Sequence, residues 1–238
     1  MIEEVCNCIY EKARGLVLGQ FVWYPVPHLE EVPRILDVER ASSEVHFASK
    51  FEIVQINDRH FKKKEKLPIK ALSLGETEEL LIAKAKMRPC IILSVDNTKF
   101  NDKAIAGEIG KRRHLQDRSM TIAPAYGLAT PGDPTGFPPV MTARIRALMY
   151  NQFFYLPKRC PKTGLSFGKE GIIRLDRLMA ASPSRGMEAM DFRLSDEPLA
   201  LLLAILRERF GGERNEDLEV ARTILLEAVP PEALPVSP

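Results

Sequence analysis

The sequence contains the stretch Met87-Arg88-Pro89-Cys90-Ile91-Ile92-Leu93-Ser94, which predicts a buried β-strand. Residues 90–93 are apolar without alternation, which is typical of strands covered on both faces. An arginine and a proline precede them, and the proline ring fixes the backbone φ at the start of the strand. We therefore expect the guanidinium of Arg88 to reach a phosphate from a rigid backbone.

Further strands are predicted by apolar or β-branched stretches that end at glycine, proline or polar residues. These stretches are residues 19–25, 51–56, 121–125, 152–157 and 172–175. Helices are predicted at residues 1–14, 76–83, 197–210 and 216–227, and the pattern at 140–148 fits either a strand or a helix. The expected fold class is therefore mainly β with appended helices (α+β).

The chain has 238 residues, which is enough for one sizeable domain. We expect a single domain over residues 1–228, with an inserted region at about 29–85. Glycine and proline are so frequent at about 127–140 that this region is predicted to be a long loop. The proline-rich residues 229–238 are expected to form a flexible tail.

Composition and charge narrow the class of protein. The chain is 45% hydrophobic and 28% charged, with a net charge of +2, as in ordinary globular proteins. It lacks the roughly 18 consecutive apolar residues of a membrane span, and its first residues do not read as a signal peptide, so we expect a cytoplasmic protein with no membrane contact. Cys6, Cys8, Cys90 and Cys160 form no repeated C-x-x-C pair and are expected to be free thiols; no metal or other cofactor is expected.

Four blocks of the sequence, taken in order, resemble the MazF/PemK family of endoribonuclease toxins. They are Gly19-Gln20-Phe21-Val22-Trp23, Arg88-Pro89-Cys90-Ile91-Ile92-Leu93, Thr121-Ile122-Ala123-Pro124 and Ile172-Ile173-Arg174-Leu175-Asp176-Arg177-Leu178. In that family a strand of the "G-D-I-V-W" type leads to "R-P-V-V-V-L-S", "V-I-V-A-P-L-T" and "S-x-V-x-x-D-Q-I-R-T" segments. A C-terminal helix follows, and Ser195-Asp196-Glu197-Pro198-Leu199 is similar to its start. Family members are usually far shorter than this chain.

The resemblance implies a small SH3-like β-barrel with a C-terminal helix, often assembled as a homodimer. It also implies metal-independent cleavage of single-stranded RNA, in which the ribose 2′-hydroxyl attacks the adjacent phosphate. An antitoxin peptide that neutralises the enzyme is the further partner that it implies. An antitoxin for this chain would be a partly disordered acidic peptide that folds against a cationic groove.

The two catalytic positions of the family fall on Arg88 and Tyr126. Arg88 matches the family arginine and would stabilise the charge that develops on the phosphate oxygens. Tyr126 stands where the family has threonine, and a phenol can still donate a hydrogen bond to phosphate or stack on a base. The family glutamine is replaced by Arg177, and the later family arginine by Met179.

Five further residues are candidates for binding the substrate: Trp23, Lys86, His114, Asp176 and Arg177. Two of the assignments have open alternatives. Arg88 would contact a phosphate or would pair with Asp176. His114 would act as a base, because imidazole titrates near neutral pH, or would be a solvated side chain in a basic segment.

Because Tyr126 and Arg177 depart from the family pattern, a second function stays open. The same barrel would then have lost catalysis and would serve as a module that binds nucleic acid or protein. A metal-dependent hydrolase is the weakest interpretation, because the four histidines are scattered without the spacing of metal ligands.

Overall fold

A computed structural model of the chain describes residues 2–28, 31–40, 49–63, 72, 74–95, 119–128, 136–183 and 186–234. The described chain divides into two compact units. The larger unit comprises Met1–Pro25 and Met87–Pro238, and the smaller unit comprises Val26–Lys86. The smaller unit covers the region that we expected to be inserted, and its origin as an insertion stays a prediction.

The strands form two antiparallel sheets, one with eight strands and one with three. The eight strands are β1 Tyr10–Lys12, β2 Gln20–Pro27, β6 Ala85–Val95, β7 Met120–Gly127, β8 Phe153–Leu156, β9 Gly171–Arg174, β10 Met179–Ala181 and β11 Glu188–Leu194. The three strands are β3 Arg34–Arg40, β4 Ser49–Gln55 and β5 Leu80–Ile82. The helices are α1 Pro139–Arg146, α2 Asp196–Arg209 and α3 Glu216–Leu226, and single 3₁₀ turns span Ile2–Glu4 and Pro231–Ala233.

The order of strands in the larger sheet is β1-β11-β2-β6-β7-β9-β8, and β10 also pairs with β7. The described part of the chain is thus mainly β with appended helices, as expected. Within the described residues no pairing of β1 with β8 closes this sheet into a barrel. The SH3-like barrel therefore stays a prediction. No helix in the described part of the chain is long and apolar enough to cross a bilayer.

The centre of the larger sheet is buried, as its composition predicts. On β6 the side chains of Cys90, Ile91 and Ile92 are fully buried, and Ile122 on β7 is as well. Two neighbouring buried residues on one strand point to opposite faces, so β6 is covered on both sides. This packing fixes the strand that carries Arg88 and Pro89 as its fourth and fifth residues.

The C-terminal helices pack on the same core. Helix α2 buries Leu199, Leu202 and Ile205, whereas Phe210 follows the helix and is 70% exposed. Helix α3 begins at an N-cap, where the side chain of Asn215 accepts a hydrogen bond from a backbone N–H of the first turn.

Two predicted helices are wrong. Residues 1–14 were expected to form a helix, but the chain makes a 3₁₀ turn and then β1, whose Tyr10 pairs with Leu194 of β11. Residues 76–83 have helical propensity, but Leu80 of β5 pairs with Leu36 of β3. In both places sheet pairing with a distant segment outweighs local propensity. The ambiguous segment 140–148 is largely helix, since α1 ends at Arg146.

Candidate anion-binding site

The pairing of β6 with β7 places Arg88 across from Tyr126. The register pairs Cys90 with Pro124, so two residues further along the strands Arg88 and Tyr126 occupy facing positions on one side of the sheet. The guanidinium carbon of Arg88 lies 4.3 Å from the centroid of the Tyr126 ring. This distance is that of a cation–π contact, and both side chains are half-buried.

Two more arginines surround the same ring. Arg174, the last residue of β9, places its guanidinium carbon 5.8 Å from the ring centroid of Tyr126, and Arg177, in the turn after β9, lies 5.5 Å from it. Arg177 also donates a hydrogen bond of 3.2 Å from Nη1 to the Tyr126 hydroxyl oxygen. We call Arg88, Tyr126, Arg174 and Arg177 the arginine cluster.

The carboxylate of Asp176 is held by Arg174. Arg174 Nε donates to one carboxylate oxygen at 2.7 Å and Nη2 donates to the other at 2.5 Å. The two side chains are 19% and 23% exposed. Although burial alone would raise the pKa of Asp176, the hydrogen bonds and charge of Arg174, together with the charge of Arg177, hold this pKa below its ordinary value.

This pairing excludes one of the two interpretations of Arg88, an ion pair with Asp176. Asp176 binds Arg174, and Arg88 makes no salt bridge with any residue that the structure describes. Three guanidinium groups and one carboxylate give the cluster with Asp176 a formal charge of +2.

The Tyr126 hydroxyl accepts one hydrogen bond in this geometry and can donate another. Its oxygen accepts the hydrogen bond from Arg177, so its own proton remains to be donated. A phenol that receives a bond from a cation and keeps its proton is suited to bind a phosphate oxygen. It is also suited to protonate a leaving oxygen.

The other sequence candidates have no recorded contact with the cluster or lie outside the described residues. Trp23 is half-buried on β2, the strand next to β6 in the sheet, and pairs in register with Glu188 of β11. Lys86 belongs to the smaller unit and is exposed. His114 lies in residues 96–118, outside the described residues. Of the candidates, the structure therefore brings together Arg88, Tyr126, Asp176 and Arg177.

Arg174 was missed as a site residue, although its sequence signal resembles that of Arg88. It stands at the end of an apolar strand, directly after Ile172 and Ile173, and two residues before Asp176. It also pairs in register with Phe153 of β8, and its guanidinium carbon lies 5.2 Å from the centroid of that ring. Arg88 and Arg174 each border a run of buried apolar residues, so the same sequence signal points to two members of the cluster.

Within the described residues no group of three histidine, cysteine, aspartate or glutamate side chains could hold a metal ion. The four cysteines are free thiols, as expected. Comparison with known proteins finds no protein-family model that matches this chain and no curated protein with significant similarity to it.

Proposed function

We propose that this protein is a MazF/PemK-like endoribonuclease that cleaves single-stranded RNA without a metal ion. The observation that carries the proposal is the position of Arg88, whose guanidinium lies on the Tyr126 ring and has no carboxylate partner among the described residues. A charged side chain kept in place without an ion pair is ready to bind an anion. Phosphate is the anion that RNA presents in a regular series.

Substrate binding is proposed to begin with a phosphate at the arginine cluster. The Tyr126 ring orients Arg88 through the 4.3 Å contact, and the Arg177 hydrogen bond orients the Tyr126 hydroxyl. Because these groups are fixed before RNA binds, little side-chain entropy is lost on binding. The same arrangement stabilises charge that develops on the phosphate during the reaction.

The proposed reaction is attack of the ribose 2′-hydroxyl oxygen on the adjacent phosphorus. The bond from phosphorus to the 5′-oxygen breaks, and a 2′,3′-cyclic phosphate forms. Arg88 stabilises the extra negative charge on the phosphate oxygens, and Tyr126 donates its proton to the departing 5′-oxygen. Asp176 is a weak base for the 2′-hydroxyl because Arg174 holds both of its oxygens, so His114 is the proposed base.

The finer fold and the partners belong to the same proposal. An SH3-like barrel, a homodimer and an acidic antitoxin peptide are all parts of the MazF/PemK-like interpretation. The cationic cluster supports an acidic peptide partner, because such a peptide would compete with RNA for the same guanidinium groups.

The experiment is incubation of the full chain with a long single-stranded RNA in excess EDTA. We expect discrete fragments that end in 2′,3′-cyclic phosphate. We expect Arg88→Ala to lose them, with a cost to the barrier on the order of 3 kcal/mol, or about 100-fold in rate. Arg214→Ala is the matched control, because Arg214 is an exposed arginine outside the cluster and should leave cleavage unchanged. Intact RNA with the wild-type protein contradicts the proposal.

A second candidate function is RNA binding without cleavage. It is favoured by one observation: Asp176, whose carboxylate contacts the cluster, is held by Arg174 through both oxygens and offers no free base. In that case the affinity for RNA would fall with rising salt, while the RNA would remain intact in the EDTA experiment. The two functions thus differ in the fate of the RNA and share the same binding site.

A further inference from the structure

Two cysteines that are far apart in the sequence meet in the larger unit. The sulfur atoms of Cys8 and Cys160 are 3.8 Å apart, although 152 positions separate the residues. Cys160 is fully buried, whereas Cys8 is only half-buried. The two thiols are close enough that one donates a hydrogen bond to the other.

The segment around Cys160 is fixed by backbone hydrogen bonds. The Cys160 N–H donates to the carbonyl of Leu165 at 2.8 Å, and the Gly164 N–H donates to the carbonyl of Cys160 at 2.9 Å. Gly164 has a φ of +72°, a conformation that glycine adopts without strain. The turn that begins at Cys160 thus fixes the backbone that carries its sulfur.

The segment around Cys8 is held against that turn. The Ser195 hydroxyl donates to the carbonyl of Cys8, and the Thr163 hydroxyl donates to the carbonyl of Tyr10 at 2.8 Å. The backbone N–H of Ile9 donates to the Cys160 sulfur at 3.3 Å. Contacts on both sides of the pair therefore keep the two sulfurs adjacent.

The chemical state of Cys160 suits nucleophilic attack. Burial alone would raise its pKa, but interactions with Thr163 and with backbone amides that include Ile9 outweigh burial and lower the pKa to about 6. A thiolate is the reactive form of cysteine. Burial raises the pKa of Cys6 and of Cys90 to about 12, and burial together with the hydrogen bond to Cys160 also raises the pKa of Cys8. Cys8 is the one thiol of the four that is not buried, so peroxide reaches it first.

We propose that Cys8 and Cys160 are a dithiol site that hydrogen peroxide converts reversibly into a disulfide. The sulfurs need to close from 3.8 Å to the roughly 2 Å of a disulfide bond. The inference is independent of the proposed action on RNA.

The reaction proceeds in two balanced steps. The half-buried Cys8 sulfur attacks one oxygen of hydrogen peroxide, the O–O bond breaks, and the released hydroxide takes the thiol proton and leaves as water. Cys8 is then a sulfenic acid. The Cys160 thiolate attacks the Cys8 sulfur, the S–S bond forms as the S–O bond breaks, and the departing hydroxide takes a proton from solvent. In total two thiols are oxidised and one peroxide is reduced to two waters.

The test is peptide mapping of the full-length wild-type protein after treatment with hydrogen peroxide and alkylation of the remaining thiols. We expect a linked peptide pair that contains Cys8 and Cys160, with a mass lower by two hydrogen atoms, and we expect dithiothreitol to restore both free peptides. Cys6→Ser is the matched control and should keep the link. A link through Cys6 or Cys90 overturns the proposal, as does the absence of any link in folded protein.

The variant Cys160→Ser separates formation of the Cys8 sulfenic acid from formation of the disulfide. In Cys160→Ser the resolving thiol is missing, so we expect the Cys8 sulfenic acid to persist and to react with dimedone. In the wild-type protein this label should be largely lost, because Cys160 consumes the sulfenic acid. Equal labelling of Cys8 in the two proteins contradicts the resolving role of Cys160. The wild-type peptide map decides the proposal even if the variant does not fold.

Discussion

Replacing Arg88 by alanine should change function far more than stability. Arg88 makes no salt bridge with a described residue, and its main contact is with the Tyr126 ring at 4.3 Å. A cation–π contact at a half-buried site is worth about 0.5–1 kcal/mol, and a little packing of the side-chain stem adds to it. We therefore expect Arg88→Ala to lower the free energy of unfolding by about 1 kcal/mol.

Arg174→Ala is the comparison within the same cluster. It removes both hydrogen bonds to Asp176, and the two side chains are only 19% and 23% exposed. Breaking a fully buried ion pair costs about 3–5 kcal/mol, and partial exposure to solvent reduces this cost. We expect a loss of about 2 kcal/mol, which is clearly larger than that of Arg88→Ala.

Urea denaturation followed by circular dichroism measures both free energies, and RNA cleavage in EDTA is measured on the same preparations. The account predicts that Arg88→Ala unfolds close to the wild-type midpoint while it no longer cleaves RNA. If Arg88→Ala destabilises the fold as much as Arg174→Ala does, Arg88 is a structural residue and the reasoning fails.

Three further predictions concern single side chains. Because the pKa of Asp176 is lowered in the folded state, its contribution to stability is present at neutral pH and is lost as the pH falls through that pKa. In Asp176→Asn the urea midpoint should therefore fall less steeply at acidic pH than in the wild-type protein. An unchanged dependence on acidic pH would refute the pairing. Tyr126→Phe keeps the ring and removes the hydroxyl that Arg177 contacts. RNA binding should persist, while the cleavage rate should fall at least about 100-fold, which is the order of a general-acid contribution. Full cleavage by this variant would exclude Tyr126 as the proton donor. Asn215→Ala removes the N-cap of α3, because the Asn215 side chain accepts a hydrogen bond from the Leu218 N–H at 2.9 Å. The free energy of unfolding in urea should fall by about 1 kcal/mol. No change would show that the cap is dispensable.

The central strands could be predicted because their residues carry the signal locally. The apolar run of β6 and the β-branched runs of β7 and β9 are buried in the structure, as their composition requires. Strand β1 could not be predicted, because the spacing of Val5, Ile9 and Ala13 fits a helix and only pairing with β11 selects the strand. Strand β5 could not be predicted for the same reason, since its partner β3 lies more than forty residues earlier in the sequence.

Three members of the arginine cluster, Arg88, Tyr126 and Arg177, could be selected from the sequence, whereas Arg174 and the contacts within the cluster could not. Arg88 and Tyr126 are visible in the sequence as separate residues, but their contact depends on the register of β6 and β7. The role of Arg174 as the partner of Asp176 depends on the turn that follows β9. Long-range neighbours of this kind are set by tertiary packing, which a single sequence does not encode in any local pattern.

The salt dependence of affinity for single-stranded RNA tests the central claim most directly, because it counts the phosphates that the protein neutralises. Three guanidinium groups, one of them paired with Asp176, predict a slope of log K against log salt of about −1.4, at roughly −0.7 for each of two contacts with a single strand. Arg88→Ala should reduce the slope by about 0.7, and Arg214→Ala should leave it unchanged. An affinity that does not depend on salt, or a slope that is the same for wild type and Arg88→Ala, would contradict the assignment of the arginine cluster as the site where RNA phosphate binds.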